Sequence, residues 1–321
     1  MSGRPDLRLV GDVGGTNARF ALADLSGAEP RLLDPRSFAR SEFPSLEAAI
    51  AGYLDGASER PASAVIAVAG PVTDGAAALT NGEWRMSEQG LLKNGFDAAR
   101  LINDFTALAL SVRRLGPDDL ADVGEASPSL TGAVAVIGAG TGLGVAAVVR
   151  EDGREAVVVT EGGHIAFAPA DDIEIEVLRH LSGRFGRVSL ERILSGSGLV
   201  NLRWALGKVD GLEVQPLEPE QIVDLAMRGE NSLCVQTLDR FCAIYGAAAG
   251  DFALAFGATG GVYLGGGISP RILEPLRRSA FRARFEAKGR FAAYTTRIAT
   301  RVILHPMAAL LGAADAPMDA R

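Results

Sequence analysis

The same turn is written twice in this chain. LRLVGDVGGTNARFALAD near the start and AVAVIGAGTGLGVAAVVRED near the middle each set a Gly/Thr-rich turn between two apolar, β-prone runs. Glycines in such a turn let backbone N–H groups converge on an anion with no Cβ in the way, and a threonine hydroxyl adds one more donor. Gly14, Gly15 and Thr16 form the first turn; Gly140, Thr141 and Gly142 form the second. The runs after the glycines, ARFALAD and VAAVVRED, favour strand over amphipathic helix, and no Gly-Lys-Ser/Thr is present, so neither is a Walker loop or a dinucleotide fingerprint. Either turn alone also fits a tight hairpin. Their repetition points instead to nucleotide binding by two strand-turn-strand units that face a triphosphate from opposite sides, which predicts two lobes and a cleft.

The rest of the chain reads as α/β with two related halves. A helix is expected from Ser45, a buried strand in ASAVIAVAGPV, a polar-aromatic segment in LTNGEWRMS and a helix in SEQGLLKNGF. ARLINDFTALALSVRRL reads as a strand entering a helix at Asn103–Asp104, and the Gly/Pro/Ser/Asp-rich LGPDDLADVGEASPSLTG as a linker crossing between lobes. From about Glu174 to Ala258 the pattern is mainly helical; GGVYLGGGISPRIL returns to a strand, a glycine turn and a helix starting at Pro270, and RVILHPMAALLGAAD to a strand and a helix.

Composition narrows the function. With 321 residues and 48% hydrophobic residues the chain can bury a core in one large or two moderate domains. A net charge of −7 and dispersed Lys and Arg leave no nucleic-acid footprint; the pairs Arg113/Arg114 and Arg277/Arg278 read as solvated helix faces. No leader pattern or long apolar stretch is visible, so a cytoplasmic protein that engages no membrane is expected. Cys234 and Cys242, the only cysteines, read as buried packing residues, too few for a disulfide framework or a cysteine-based zinc site.

Chemistry concentrates in a few places. Asp12 ends the first strand beside the glycines, and a carboxylate next to phosphates implies an intervening Mg²⁺, reached through coordinated water; a carboxylate closing a hairpin is the alternative. Asn103 and Asp104 stand where a strand meets a helix, where an N-cap is equally expected. Strand ends of α/β proteins meet ligands, and phosphoryl transfer to an alcohol needs one carboxylate to take the hydroxyl proton, a role assigned to Asp104. Glu161 and His164 in TEGGHIAFAP and Glu191 in SLERILSGSG complete, with Asn103 and Asp104, a set suited to vicinal hydroxyls. A turn histidine and a capping-box glutamate after Ser189 are the plainer readings of His164 and Glu191. A third glycine turn, Gly265, Gly266 and Gly267, offers close backbone approach to an adenine or ribose, or plain helix–strand packing.

GDVGGTNARFAL, LTNGEW, LINDFTALAL, GAGTGLGVA, EGGH, SLERILSGSGLVNL, GGVYLGGGISPR and HPMAALLGAA, in this order, resemble the bacterial ATP-dependent glucokinases of the hexokinase group. The resemblance runs from about residue 8 to 314 and implies a two-domain actin-like ATPase (ribonuclease H-like) fold with a central cleft. It implies a small domain of residues 1–114 plus 305–321 and a large domain of residues 115–304. It also implies ATP-dependent phosphorylation of D-glucose to glucose 6-phosphate, with Asp104 as base, and glucose held by Asn103, Asp104, Glu161, His164 and Glu191. ATP is expected on Asp12, Gly14, Gly15, Thr16, Asn17, Gly140, Thr141, Gly142, Gly266 and Gly267, with Mg²⁺ at Asp12, no zinc, and a homodimer. The chain departs from the family pattern at Ala139, where proline is usual, at Ala166, often aspartate, and at Gly82, commonly histidine or proline.

Two rivals of other classes are a sugar-responsive regulator and a chaperone-like ATPase. The first needs a DNA-binding module ahead of the first turn and the second a peptide-binding domain, and neither is expected here. A kinase of mannose or an N-acetylated sugar is the rival within the enzyme class.

Overall fold

The computed structural model describes residues 6–57, 59–78, 84–129, 131–151 and 154–318. These form two compact units: one runs up to Gly116 and resumes at His305, and the other is the continuous run Pro117–Leu304. Each unit closes its own apolar core.

The first unit contains β1 (Leu7–Val13), β2 (Asn17–Asp24), β3 (Arg31–Ala39), β4 (Ser63–Val68), the short pair β5 (Ala76–Ala78) and β6 (Arg85–Ser87), and β7 (Ala98–Asn103). Its helices are α1 (Leu46–Leu54), α2 (Glu88–Lys93), α3 (Asp104–Ser111) and a closing helix, Ala308–Asp315. Five strands form one sheet in the order β3-β2-β1-β4-β7. β1 is antiparallel to β2 and parallel to β4, which is parallel to β7. The apolar run of β4 suits a strand covered on both faces, and Ser45 caps α1 by accepting the Ala48 amide at 3.2 Å.

β3 was not legible in the sequence. Its residues are mostly half-buried or exposed, Pro35 interrupts it, Asp34 takes a φ of 48°, and its pairing with β2 slips between Phe20 and Leu22. An edge strand can carry such features because one of its sides has no ladder to satisfy.

The second unit contains β8 (Leu120–Asp122), β9 (Val134–Ala139), β10 (Leu143–Glu151), β11 (Arg154–Thr160), β12 (Val262–Gly265) and β13 (Thr300–Ile303). Four longer helices, α4 (Asp172–Phe185), α5 (Gly196–Val209), α6 (Pro219–Met227) and α7 (Ser232–Phe256), are joined by the short α8 (Ile268–Arg271), α9 (Leu273–Arg278), α10 (Phe281–Glu286) and α11 (Ala292–Thr295). The sheet order is β11-β10-β9-β12-β13-β8, with β9, β10 and β11 antiparallel and β9, β12 and β13 parallel. Its first five places therefore repeat the whole sheet of the first unit, so the internal duplication reaches well beyond the turn.

Three expectations need correcting. The supposed linker contributes β8, an edge strand antiparallel to β13, because three residues that find a ladder need no apolar pattern of their own. The helix after the third glycine turn starts at Ile268, with Pro270 inside its first turn, where the missing N–H is harmless. Arg277 and Arg278 are exposed on α9, but Arg113 and Arg114 are not a solvated face. Both donate to Asp315 at the end of the closing helix, Arg113 Nε at 2.8 Å and Arg114 through Nε at 2.6 Å and Nη2 at 2.8 Å, and the Asp315 side chain is only 5% exposed. Arg8 adds bonds to the carbonyls of Ala314 and Ala316 at 2.8 and 2.9 Å. Burial, the largest influence on Asp315, works to raise its pKa, but the hydrogen bonds and charges of Arg114 and Arg113 outweigh it and leave the carboxyl below its ordinary value.

Cys234 and Cys242 are free and buried. Among the described residues, no helix is long and apolar enough to cross a membrane.

Candidate active site

In the first unit the parallel strands β1, β4 and β7 end level with one another: Val13 stands beside Val68, and Val68 beside Asn103. Ligands of open α/β sheets meet such carboxyl ends. Here they present, in order, the first glycine turn, Gly70 and Asn103–Asp104. With strands about 4.8 Å apart, Asp104 stands two spacings from the turn, on the order of 10 Å.

The first turn is closed by the Gly14 amide on the Asn17 carbonyl at 2.9 Å. Arg40 Nη1 takes the carbonyls of Gly15 and Gly14 at 2.7 and 3.3 Å, and the Arg40 amide takes that of Thr16 at 2.8 Å. Among the described residues the amides of Gly15 and Thr16 find no acceptor. Asp12, partly buried, lies 3.6 Å from Arg19. Burial lifts its carboxyl above the ordinary value, with the Arg19 charge pulling the other way.

Asn103 is the N-cap of α3. Its Oδ1 accepts from the amides of Phe105 and Thr106 at 2.9 and 3.3 Å, and its Nδ2 donates to the Gly70 carbonyl at 3.0 Å. Capping and ligand contact are compatible here, since Nδ2 carries a second hydrogen. Asp104 Oδ1 also accepts from the Phe105 amide at 2.9 Å, which places this carboxylate at the positive end of the helix.

The second unit repeats the turn with different surroundings. The Gly140 amide closes on the Gly142 carbonyl at 2.9 Å, the Gly140 carbonyl accepts from Gly196 at 2.8 Å, and the amides of Thr141 and Gly142 find no acceptor among the described residues. Gly266, at φ 75°, lies against β9 so closely that a Cβ would stand 2.3 Å from the Ala139 carbonyl oxygen. Gly140, Thr141 and Gly267 line a cavity of about 390 Å³ whose other walls are apolar (Leu199, Pro219, Val223, Ile268) and polar (Ser197, Glu220, Arg271). Apart from the glycine turns, these walls were missed in the sequence. They are single faces of α5, α6 and α8, and the one local signal of close approach there is the SGSG run that caps and opens α5.

Glu161, His164 and Glu191 come together in this unit. Segment 165–167 runs against 188–190 through the Phe167 amide to the Val188 carbonyl at 3.0 Å and the Leu190 amide to the Ile165 carbonyl at 2.9 Å, which brings the two loops side by side. His164 Nε2 lies 3.9 Å from Glu161 Oε2, and its Nδ1 4.0 Å from Glu191 Oε1. The glycines before His164 are there for room: a Cβ on Gly163 would meet the Leu143 carbonyl oxygen at 1.9 Å. Glu191 Oε2 accepts from the Leu143 amide at 3.0 Å, tying the polar set to the residue after the second turn.

Of the departures from the family pattern, Ala139 ends β9 beneath Gly266 and Ala166 bridges Ser189. Gly82 and most of the LTNGEW motif, Leu79–Glu83, lie outside the described residues. Among the described residues no group of three or more His, Cys, Asp or Glu side chains could hold a metal ion. One carboxylate beside a glycine turn is compatible with Mg²⁺, because that ion keeps most of its waters and takes further ligands from substrate phosphates.

Two sheets of one topology, each with a glycine turn at the carboxyl end of its first parallel strand, give the actin-like ATPase fold. The glucokinase family model matches residues 9–320. A glucokinase of Caulobacter sp. (strain K31) is 52% identical over 312 residues, 97% of this chain and 94% of that protein. Among solved structures, the glucokinase from an Antarctic psychrotroph superposes with a TM-score of 0.89 at 37% identity, covering 97% of this chain and 98% of that one. A ROK family glucokinase from Streptomyces griseus, crystallised with glucose and AMPPNP, shares the fold with a TM-score of 0.64 at 23% identity over 96% of this chain and 98% of its own. The chain belongs to the glucokinase family of enzymes.

Proposed function

We propose that this enzyme transfers the γ-phosphoryl group of ATP to the 6-hydroxyl of D-glucose. Family membership supports the reaction, and the glucose and AMPPNP bound by the Streptomyces griseus relative support the substrates. Asn103, Asp104, Glu161, His164 and Glu191 are the proposed partners of the sugar hydroxyls. The glycine turns 14–16 and 140–142 with Asn17 take the phosphates, and the cavity beside the Gly266–Gly267 turn takes the nucleoside. Asp12 would hold Mg²⁺ through water, and the ion would neutralise phosphate charge.

Asp104 orients the 6-hydroxyl and accepts its proton as the oxygen attacks the γ-phosphorus in line; the bond from phosphorus to the β-phosphate bridging oxygen breaks and ADP leaves. The observation that carries this reading is the placement of Asp104 at the carboxyl end of β7, two strands from a turn in which the amides of Gly15 and Thr16 find no acceptor among the described residues. Asp104→Asn should cut kcat by about 10²-fold or more while glucose binding stays within a few-fold. A coupled assay with calorimetric glucose titration checks this, and near-normal turnover would end the assignment. The reading also takes the enzyme as a cytoplasmic homodimer, whose mass light scattering measures.

A further inference from the structure

We infer that Arg40 is a positioning residue that aims the amides of the first glycine turn; this rests on that turn binding phosphate. In a trans peptide the carbonyl of one residue and the N–H of the next point in opposite directions, and every described peptide here is trans. Arg40 gathers three successive carbonyls: its guanidinium holds those of Gly14 and Gly15, and its own amide holds that of Thr16. The amides next after the first two carbonyls, Gly15 and Thr16, must then face away from Arg40. Those are the amides left without an acceptor among the described residues. One side chain therefore converts a flexible glycine turn into a concavity of N–H groups of the kind that binds anions.

Arg40 is itself fixed. Its guanidinium lies over the Trp84 ring, 5.5 Å from the centroid, and Trp84 is 4% exposed with its indole N–H on the Phe43 carbonyl at 3.2 Å. Arg40 Nε is buried without an acceptor, and no carboxylate pairs with the guanidinium among the described residues. The guanidinium charge adds a long-range attraction for polyphosphate to the geometric effect.

Arg40→Met keeps the stem on Trp84 and removes the donors. It should raise the KM for MgATP about tenfold while the KM for glucose stays within twofold, and Arg40→Lys, a point charge lacking the fork, should fall between. Thr16→Ala, which alters the turn directly, serves as the control, together with thermal midpoints of all variants and calorimetric titration with AMPPNP. If Thr16→Ala weakens nucleotide binding and Arg40→Met does not, the turn reading stands and the role of Arg40 falls. If neither variant changes nucleotide binding, the turn reading falls and the Arg40 role with it. A parallel rise in both KM values with a lowered midpoint would make Arg40 merely structural and overturn the inference.

Discussion

The two units share a sheet topology and differ in almost everything attached to it. At the end of the first parallel strand, β1 supplies Asp12 and a turn gripped from its carbonyl side by an arginine, whereas β9 supplies Ala139 and a turn packed among other glycines. At the next strand both units turn through a glycine of positive φ, 135° at Gly70 and 75° at Gly266, and the turn at Gly266 leads, through Gly267, onto a cavity of about 390 Å³. At the third, β7 ends in Asn103–Asp104 while β13 leads into the crossing back to the first unit. On the proposed reading one backbone plan serves acid–base chemistry in one unit and nucleoside recognition in the other, according to the residues that succeed each strand.

That contrast can be broken in four places. The first unit is assembled from two chain pieces and is held by the clasp at Asp315, which the continuous second unit does not need. Asp315→Ala should cost about 3 kcal/mol, read as a lowered urea midpoint. The carboxyl lies below its ordinary value in the folded protein, so its stabilisation is fully present above about pH 4 and is lost as pH falls through the folded value. The variant should lack that acid-dependent loss.

Gly266→Ala places a Cβ against the Ala139 carbonyl and leaves a non-glycine residue at positive φ; kcat/KM for ATP should fall by up to about a hundredfold, checked by steady-state kinetics. Asp12→Asn should raise the Mg²⁺ requirement by roughly tenfold, measured by titrating Mg²⁺ at fixed ATP. Because burial lifts the Asp12 carboxyl, the wild-type dependence on Asp12 should fade, as pH drops, above the ordinary carboxylate range; Arg19→Met should move that limb higher still. The smallest effect on the fold belongs to Gly15→Ala, where a Cβ would meet no protein atom within 4 Å: the urea midpoint should stay unchanged while the KM for ATP rises a few-fold. A large loss there, beside tolerance at Gly266, would reverse the contrast between the two turns.

How much the sequence disclosed depends on how locally each feature is written. The two hairpins were legible because apolar β-prone runs flank Gly/Thr turns, and the β7–α3 junction because Asn103–Asp104 separates an apolar strand from an apolar helix. Glu161 and His164 were legible as neighbours, but their approach to Glu191 depends on the pairing of 165–167 with 188–190, which no local pattern announces. The cavity walls on α5, α6 and α8 look like ordinary helix faces until the helices are packed. β8 and β3 hide because edge pairing tolerates proline, aspartate and exposure. Arg40 and the Asp315 clasp are invisible for the same reason at longer range: an arginine reveals its partner only once distant backbone has been brought to it.

The crossing at His305 also sets an order of events during synthesis. β1 through α3 emerge from the ribosome first, yet the helix that covers them is made only after all of Pro117–Leu304, on the order of ten seconds later or more. Until then the sheet face that packs on α1 can close, whereas the face shared by α3 and the closing helix lacks part of its cover. The half made first is the half whose chain is completed last.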